Sequence, residues 1–275
     1  PDTECEVLNQ LLGRAGLVLS YRVTSDEVLF ESLLNELHRR QVAIGQDRIV
    51  LIGEWDSFYA RALPLTFTAA ACQYVTTIPR NDKCAGTETG IHKLLSGKLS
   101  PRNLNILQYS YLSGLDGEAS NDQAKRAKLK EDSKEKDKAE GKGRFRDIDS
   151  YERPEGPSQL DYVRRLVARI KAECHDGSQD RDQPNGKVKA IGILGRDPYD
   201  ALLILQAMRE QFPNALFFTT DLDARYFHED EQKWTRNLIV ASQFGLQLDL
   251  LLQQSIPPFR SSLQTSSFFA VLQAI

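Results

Sequence analysis

An α/β fold built on parallel strands is predicted by three features of this sequence. Arg48-Ile-Val-Leu-Ile-Gly53 and Lys189-Ala-Ile-Gly-Ile-Leu-Gly195 are continuous apolar runs ended by glycine, the mark of strands buried on both faces. Apolar residues at helical spacing follow each run. Strands alternating with helices of about a dozen residues imply βαβ units.

Leu17 to Tyr21 is a short apolar run. After it, Val28, Leu29, Leu33, Leu34 and Leu37 fall at helical spacing. Thr24 or Ser25, with Glu27 or Glu31 behind it, predicts the helix start. The Arg48–Gly53 strand leads into a helix that would carry Tyr59, Leu63 and Phe67. Asn103 to Tyr111 is a further strand, closed by Gly114-Leu-Asp-Gly117. Leu160, Val163, Leu166, Val167 and Ile170 form a helical stripe. Beyond the Lys189–Gly195 strand, Tyr199 to Met208 reads as a helix that ends before Phe212-Pro213. Ala215 to Asp221 and Asn237 to Ser242 are the last strands, and Phe259 to Ile275 is a closing helix.

Positions 119–149 hold ten Lys or Arg and eight Asp or Glu with little apolar content, which predicts an exposed insertion. Ala62 to Pro79 and Ser261 to Ile275 carry no charge. Pro64, Gln73 and four threonines make the first a buried helix and turn rather than a membrane span. The second stops inside an apolar helical pattern, so the natural chain is expected to continue past Ile275. The opening Pro1-Asp-Thr-Glu4 is no signal peptide, although one removed earlier is compatible with it.

Composition excludes several classes. With 41% hydrophobic and 27% charged residues the chain is neither disordered nor fibrous. A net charge of −3 offers no basic excess for a phosphate backbone, so nucleic acid is not an expected partner. None of the four cysteines forms a C-x-x-C pair, against a structural zinc site. Cys72 and Cys84 bracket a polar loop and are either bridged in an oxidising compartment or a pair of thiols. There is no G-x-S-x-G and no H-E-x-x-H, and 86–93 lacks the Walker spacing. His38, His92, His175 and His228 sit among polar residues and read as surface positions.

Ligands of parallel sheets bind beyond the carboxyl ends of the strands. That rule selects Glu54, Asp56, Ser57 and Tyr59, then Asp197 and Tyr199, then Thr219, Thr220 and Asp221. Gly53, Trp55, Gly195, Arg196, Asp223, Arg225, Ser242 and Gln243 flank them. Hydroxyls and helix-terminal N–H groups there suit a small anion, and the carboxylates suit an ammonium group. Each single residue is equally a helix cap or a bridging hydrogen bond. Asp221-Leu-Asp223 also resembles the Asp-x-Asp of sugar-nucleotide glycosyltransferases, where two carboxylates hold Mg²⁺ or Mn²⁺. Loop capping, with Arg225 pairing one carboxylate, is the alternative for that motif.

Ile49-Val-Leu-Ile-Gly-Glu-Trp-Asp-Ser-Phe-Tyr and Ile191-Gly-Ile-Leu-Gly-Arg-Asp-Pro-Tyr echo each other as strand, glycine, acid, aromatic and helix. The second half, with Asn237-Leu-Ile-Val-Ala-Ser-Gln-Phe and the closing Phe259-to-Ala270 helix, resembles the C-terminal lobe of type I periplasmic binding proteins, the branched-chain amino-acid receptors. Leu17 to Tyr74 is similar to part of their N-terminal lobe. The resemblance implies two Rossmann-like lobes with parallel sheets: 1–118, then a charged linker over 119–157, then 158–275. It implies a non-enzymatic sensor that closes on an amino-acid-like ligand without a cofactor, in a periplasmic or other extracytoplasmic setting, with a cytoplasmic one as alternative. The strand ends at Gly53, Gly195 and Thr220 would then line one inter-lobe gap, with Tyr59 or Tyr199 stacking on the ligand. A homodimer and a membrane-anchored or multidomain context are compatible with it. The alternatives are a metal-dependent glycosyltransferase-like enzyme using Asp221 and Asp223, and a degenerate fold for protein–protein contact.

Overall fold

The computed structural model describes residues 24–77, 87–115, 160–175 and 187–274. Their elements, in chain order, are α1 Asp26–Arg39, β1 Arg48–Glu54, α2 Phe58–Thr77, α3 Thr87–Leu95, β2 Ile106–Tyr111, α4 Leu160–His175, β3 Val188–Leu194, α5 Pro198–Gln211, β4 Leu216–Thr219, α6 Gln232–Thr235, β5 Leu238–Val240, α7 Leu250–Gln253 and α8 Ser262–Ala274. The run 17–21 and the charged insertion lie outside the described residues.

The five strands form one all-parallel sheet in the order β2-β1-β3-β4-β5. This is a doubly wound order whose switch point falls between β1 and β3. The α/β class and the parallel sheet agree with the sequence. The expectation of two lobes, each with its own sheet, is corrected. Val50 of β1 pairs in register with Ile191 of β3, so strands from both halves of the chain share one sheet. The two echoing segments are neighbours in that sheet rather than the centres of two lobes.

Strand alternation divides the core into two layers. Ile49, Leu51 and Phe218 face α1 and α2, where Phe30, Leu34, Leu37, Leu63 and Phe67 are fully buried. Val50, Ile52, Ile191, Ile193 and Phe217 face α4 and α5, against Val163, Val167, Ile170, Ile204, Leu205 and Met208. Phe67 of α2 stacks on Phe218 of β4 with ring centroids 5.3 Å apart. Gly192, beside Phe218 on β3, leaves room for that ring. A Cβ there would fall 2.4 Å from the Phe218 ring.

Local chemistry shifts some boundaries. Ser25 stands at the N-cap of α1 without a side-chain cap bond, so the predicted capping box does not form. The strand predicted from Asn103 starts only at Ile106, because Pro101–Leu104 winds as a 3₁₀ turn. Asn105 closes that turn at φ 58°, a left-handed conformation Asn tolerates, and its amide donates to Gln46 O. No described helix is long and apolar enough to cross a membrane. Cys72 on α2 is disulfide-bonded to a residue outside the described set.

Candidate functional site

A helix that connects two parallel strands runs antiparallel to them, so its N-terminus lies at the carboxyl edge of the sheet. The N-termini of α1, α2 and α5 all gather there. Gln243, beyond the end of β5, donates from Nε2 to the carbonyl of Thr24, two residues before α1. Asp26, Glu54, Tyr59, Arg196, Thr220 and Asp221 meet at this edge, around the switch point.

Glu54 closes β1 and is buried. Its Oε2 accepts from the Arg196 backbone N–H at 2.9 Å, and the Arg196 guanidinium lies 3.7 Å from Oε1. Tyr59 is 43% exposed and donates its hydroxyl to Asp26 Oδ1 at 3.3 Å. Burial, Asp26 and Asp221 push the Tyr59 phenol upward, so it remains a donor. Burial also raises the Asp26 carboxyl, against the Tyr59 bond that lowers it. Asp221 is pushed up to about 6, mainly by burial and then by the Asp26 charge; Arg196 opposes this and Glu54 adds to it. The corner therefore concentrates negative charge and provides only partial compensation.

Two buried polar atoms without a partner complete it. Thr220 is 3% exposed, and its Oγ1 has no hydrogen-bond partner among the described residues. It directly follows the last residue of β4 and precedes Asp221. Gln243 Oε1 is likewise buried and unpartnered. It follows Ile239 and Ala241, which pack on the α1/α2 face.

Other selected residues have local duties. Asp56 accepts from the backbone of Ser113, and Asp197 caps α5 by accepting from Tyr199 N at 2.8 Å. Ser57 Oγ accepts from Ala60 N and starts α2. Tyr199 has the Arg225 and Arg260 guanidiniums at 5.0 and 5.8 Å from its ring centroid, so its face is already covered. Thr219 is buried beside Tyr226 on the α4/α5 side. Asp223 accepts from Arg225 N at 2.8 Å and lies 3.6 Å from Arg260 Nε. Loop capping is thus its role, with Arg260 rather than Arg225 as the paired guanidinium. Among the described residues no three His, Cys, Asp or Glu side chains are placed to hold a metal ion. His38, His92 and His228 are exposed.

Sequence reasoning missed Asp26, which reads as an ordinary first-turn acid of α1. The signal was available: a helix feeding a parallel strand starts at the edge where ligands bind. It also missed Asp200, buried in α5, which accepts from Gly114 N and Leu115 N at 2.9 and 2.6 Å. Two grooves of about 430 and 560 Å³, beside β5 and between α4 and α5, share no residue with the corner.

Compared with known proteins, this chain matches no family model, no curated protein and no solved structure.

Proposed function

We propose that this domain binds a small polar ligand without transforming it, and that the ligand presents an ammonium group to the Asp26–Asp221 corner. The observation that carries the reading is the pair of buried, unpartnered polar atoms, Thr220 Oγ1 and Gln243 Oε1, at the sheet edge that also holds Asp26 and Asp221, two carboxyl groups that burial raises above their ordinary range. A buried acceptor without a donor costs about 1–3 kcal/mol, and a carboxylate short of cations costs more. An ammonium group brings three donors and a positive charge, and so relieves both. Tyr59, exposed on one side and fixed by Asp26 on the other, supplies an aromatic wall.

The single sheet formed by both halves of the chain keeps this reading to a one-sheet binding domain, without the two lobes of a type I periplasmic receptor. An extracytoplasmic setting is supported by the disulfide at Cys72, because such bonds persist in oxidising compartments.

Thermal shift tests the reading. Amines and amino acids are each compared with their N-acetylated forms, alongside nucleotide-sugars and divalent metals. Binding to the folded state raises the melting temperature. Stabilisation by the unblocked amino compounds alone is expected. Equal stabilisation by the acetylated forms, or by a nucleotide-sugar with Mn²⁺ instead, overturns it.

A further inference from the structure

We propose that the outer edge of β5 is a docking site for an extended, acid-bearing peptide segment of a partner protein, which adds to the sheet as a further strand. The groove beside β5 shares no residue with the acidic corner, so this proposal stands independently of the ammonium-binding reading.

β5 ends the sheet and pairs with β4 alone among the described strands. Its register on β4 decides which backbone groups point outward. Ile239 lies opposite Phe218, and Ala241 N donates to Thr219 O. Along a parallel ladder every second residue turns its N–H and C=O to a given neighbour. Ile239 and Ala241 therefore face β4, while Leu238 and Val240 turn their backbone groups away from it. Neither makes another hydrogen bond among the described residues. An unpaired row of this kind is a template for an incoming strand, and edges are ordinarily blunted by charge, proline or a bulge. Leu238–Val240 carries no charge and no proline, and its register on β4 is unbroken.

A groove of about 430 Å³ lies along the same edge, and Leu238 and Val240 line it where Ile239 does not. Tyr226, Phe227, Thr235 and Arg236 form its other walls. The Leu238 and Val240 side chains pack on the α4/α5 face, so the groove opens there. A strand laid against β5 sends alternate side chains to that face, where the groove can take apolar ones. Phe227 is 66% exposed and stands ready to cover them. The Thr235 hydroxyl is already committed to the Tyr226 and Glu231 carbonyls, so this wall adds contact rather than a free donor.

Charge selects the peptide. Arg236 is exposed, and its guanidinium has no carboxylate or ring partner among the described residues. No acid lines the groove. Arg236 stands two residues before Leu238, so a carboxylate at one end of the added strand meets it. Main-chain pairing then supplies affinity, while the groove and Arg236 supply specificity.

Fluorescence anisotropy with the intact chain tests the proposal. The parent probe is fluorescein-labelled Glu-Val-Thr-Val-Thr-Val-Glu, whose β-branched residues favour an extended form. Two isomers carry N-methyl groups either on the Val amides or on the Thr amides. Only one of these sets can face β5, because successive amides point to opposite edges of a strand. Saturable binding is expected for the parent and for one isomer, with the other isomer about tenfold weaker or worse. Val240→Pro removes an outward N–H at a place where an edge strand accepts proline, and should weaken the parent probe by about tenfold. Arg236→Glu should weaken it too and favour the probe in which Lys replaces both Glu. Absence of binding, equal binding of the two isomers, or unchanged binding by both variants overturns the proposal. A concentration-dependent dimer in sedimentation that Val240→Pro abolishes also overturns it, since the occupant is then a second copy of this chain.

Discussion

The Tyr111 hydroxyl fills the space that a side chain at position 195 would need: a Cβ on Gly195 would lie 2.0 Å from Tyr111 Oη. Tyr111 is 1% exposed and its ring cannot swing out. Its hydroxyl has no partner among the described residues. Overpacking of this kind costs about 1–3 kcal/mol. Gly195→Ala should lower stability by that amount in urea unfolding. Tyr111→Phe should be neutral or slightly stabilising, because it removes an unpaired buried hydroxyl. The double variant should recover most of the alanine loss, and additive effects would disprove the contact.

Asp200 ties the loop after β2 to the first turn of α5, across 85 residues of sequence. Its carboxylate accepts two backbone N–H groups from inside the core. Asp200→Asn replaces one accepting oxygen by an NH₂ that faces an N–H. A loss of roughly 1–3 kcal/mol is expected from denaturant titration. Amide exchange at Gly114 and Leu115 should accelerate in the same variant. Unchanged protection there would sink the assignment.

Much of the sheet was legible because its central strands are apolar on both faces. Arg48–Gly53 and Lys189–Gly195 read as buried parallel strands from their continuous apolar runs, and the strands found there are Arg48–Glu54 and Val188–Leu194. Their adjacency was not legible. Which strands pair depends on contacts such as Phe67 on Phe218, over 100 residues apart in sequence, and on the room Gly192 leaves for the Phe218 ring. Two similar strand–turn–helix units therefore looked like two lobes. At the site, the strand-end rule reached Glu54, Thr220 and Asp221. It could not separate them from Asp56 and Asp197, since a carboxylate capping a loop and one facing a ligand have the same local sequence. Only hydrogen-bond geometry sorts them.

Divalent metals provide a sharp negative expectation. Asp223 already accepts from Arg225 N and faces Arg260, so Asp221-Leu-Asp223 presents one carboxylate rather than two to solvent. Millimolar Mg²⁺ or Mn²⁺ should leave the melting temperature where equal ionic strength of NaCl leaves it. Asp223→Asn should change stability little, because asparagine caps a helical turn about as well as aspartate. A Mn²⁺-specific rise that this variant abolishes would restore the two-carboxylate metal site.

Asp221 sets opposite pH trends on folding and binding. Its carboxyl is raised from an ordinary 3.8 to about 6, first by burial and then by Asp26. Between about pH 4 and 6 the native state binds more protons than the unfolded chain, so unfolding releases protons and stability falls as pH rises. The penalty is complete above about pH 6. Two pK units correspond to at most about 3 kcal/mol. Asp221→Asn removes the charge, so the unliganded variant should be roughly 1–3 kcal/mol more stable than the parent at pH 7.5 and gain little at pH 4. An ammonium ligand behaves in the opposite sense, because it requires the ionised carboxylate. Its affinity should drop as pH falls through about 6, while the melting temperature of the unliganded protein climbs. Urea midpoints and amine titrations across pH 4.5 to 8 measure both curves on one sample series. If the unliganded protein loses stability on acidification over this window, and Asp221→Asn does not change that slope, then Asp221 is not the strained acid of the corner.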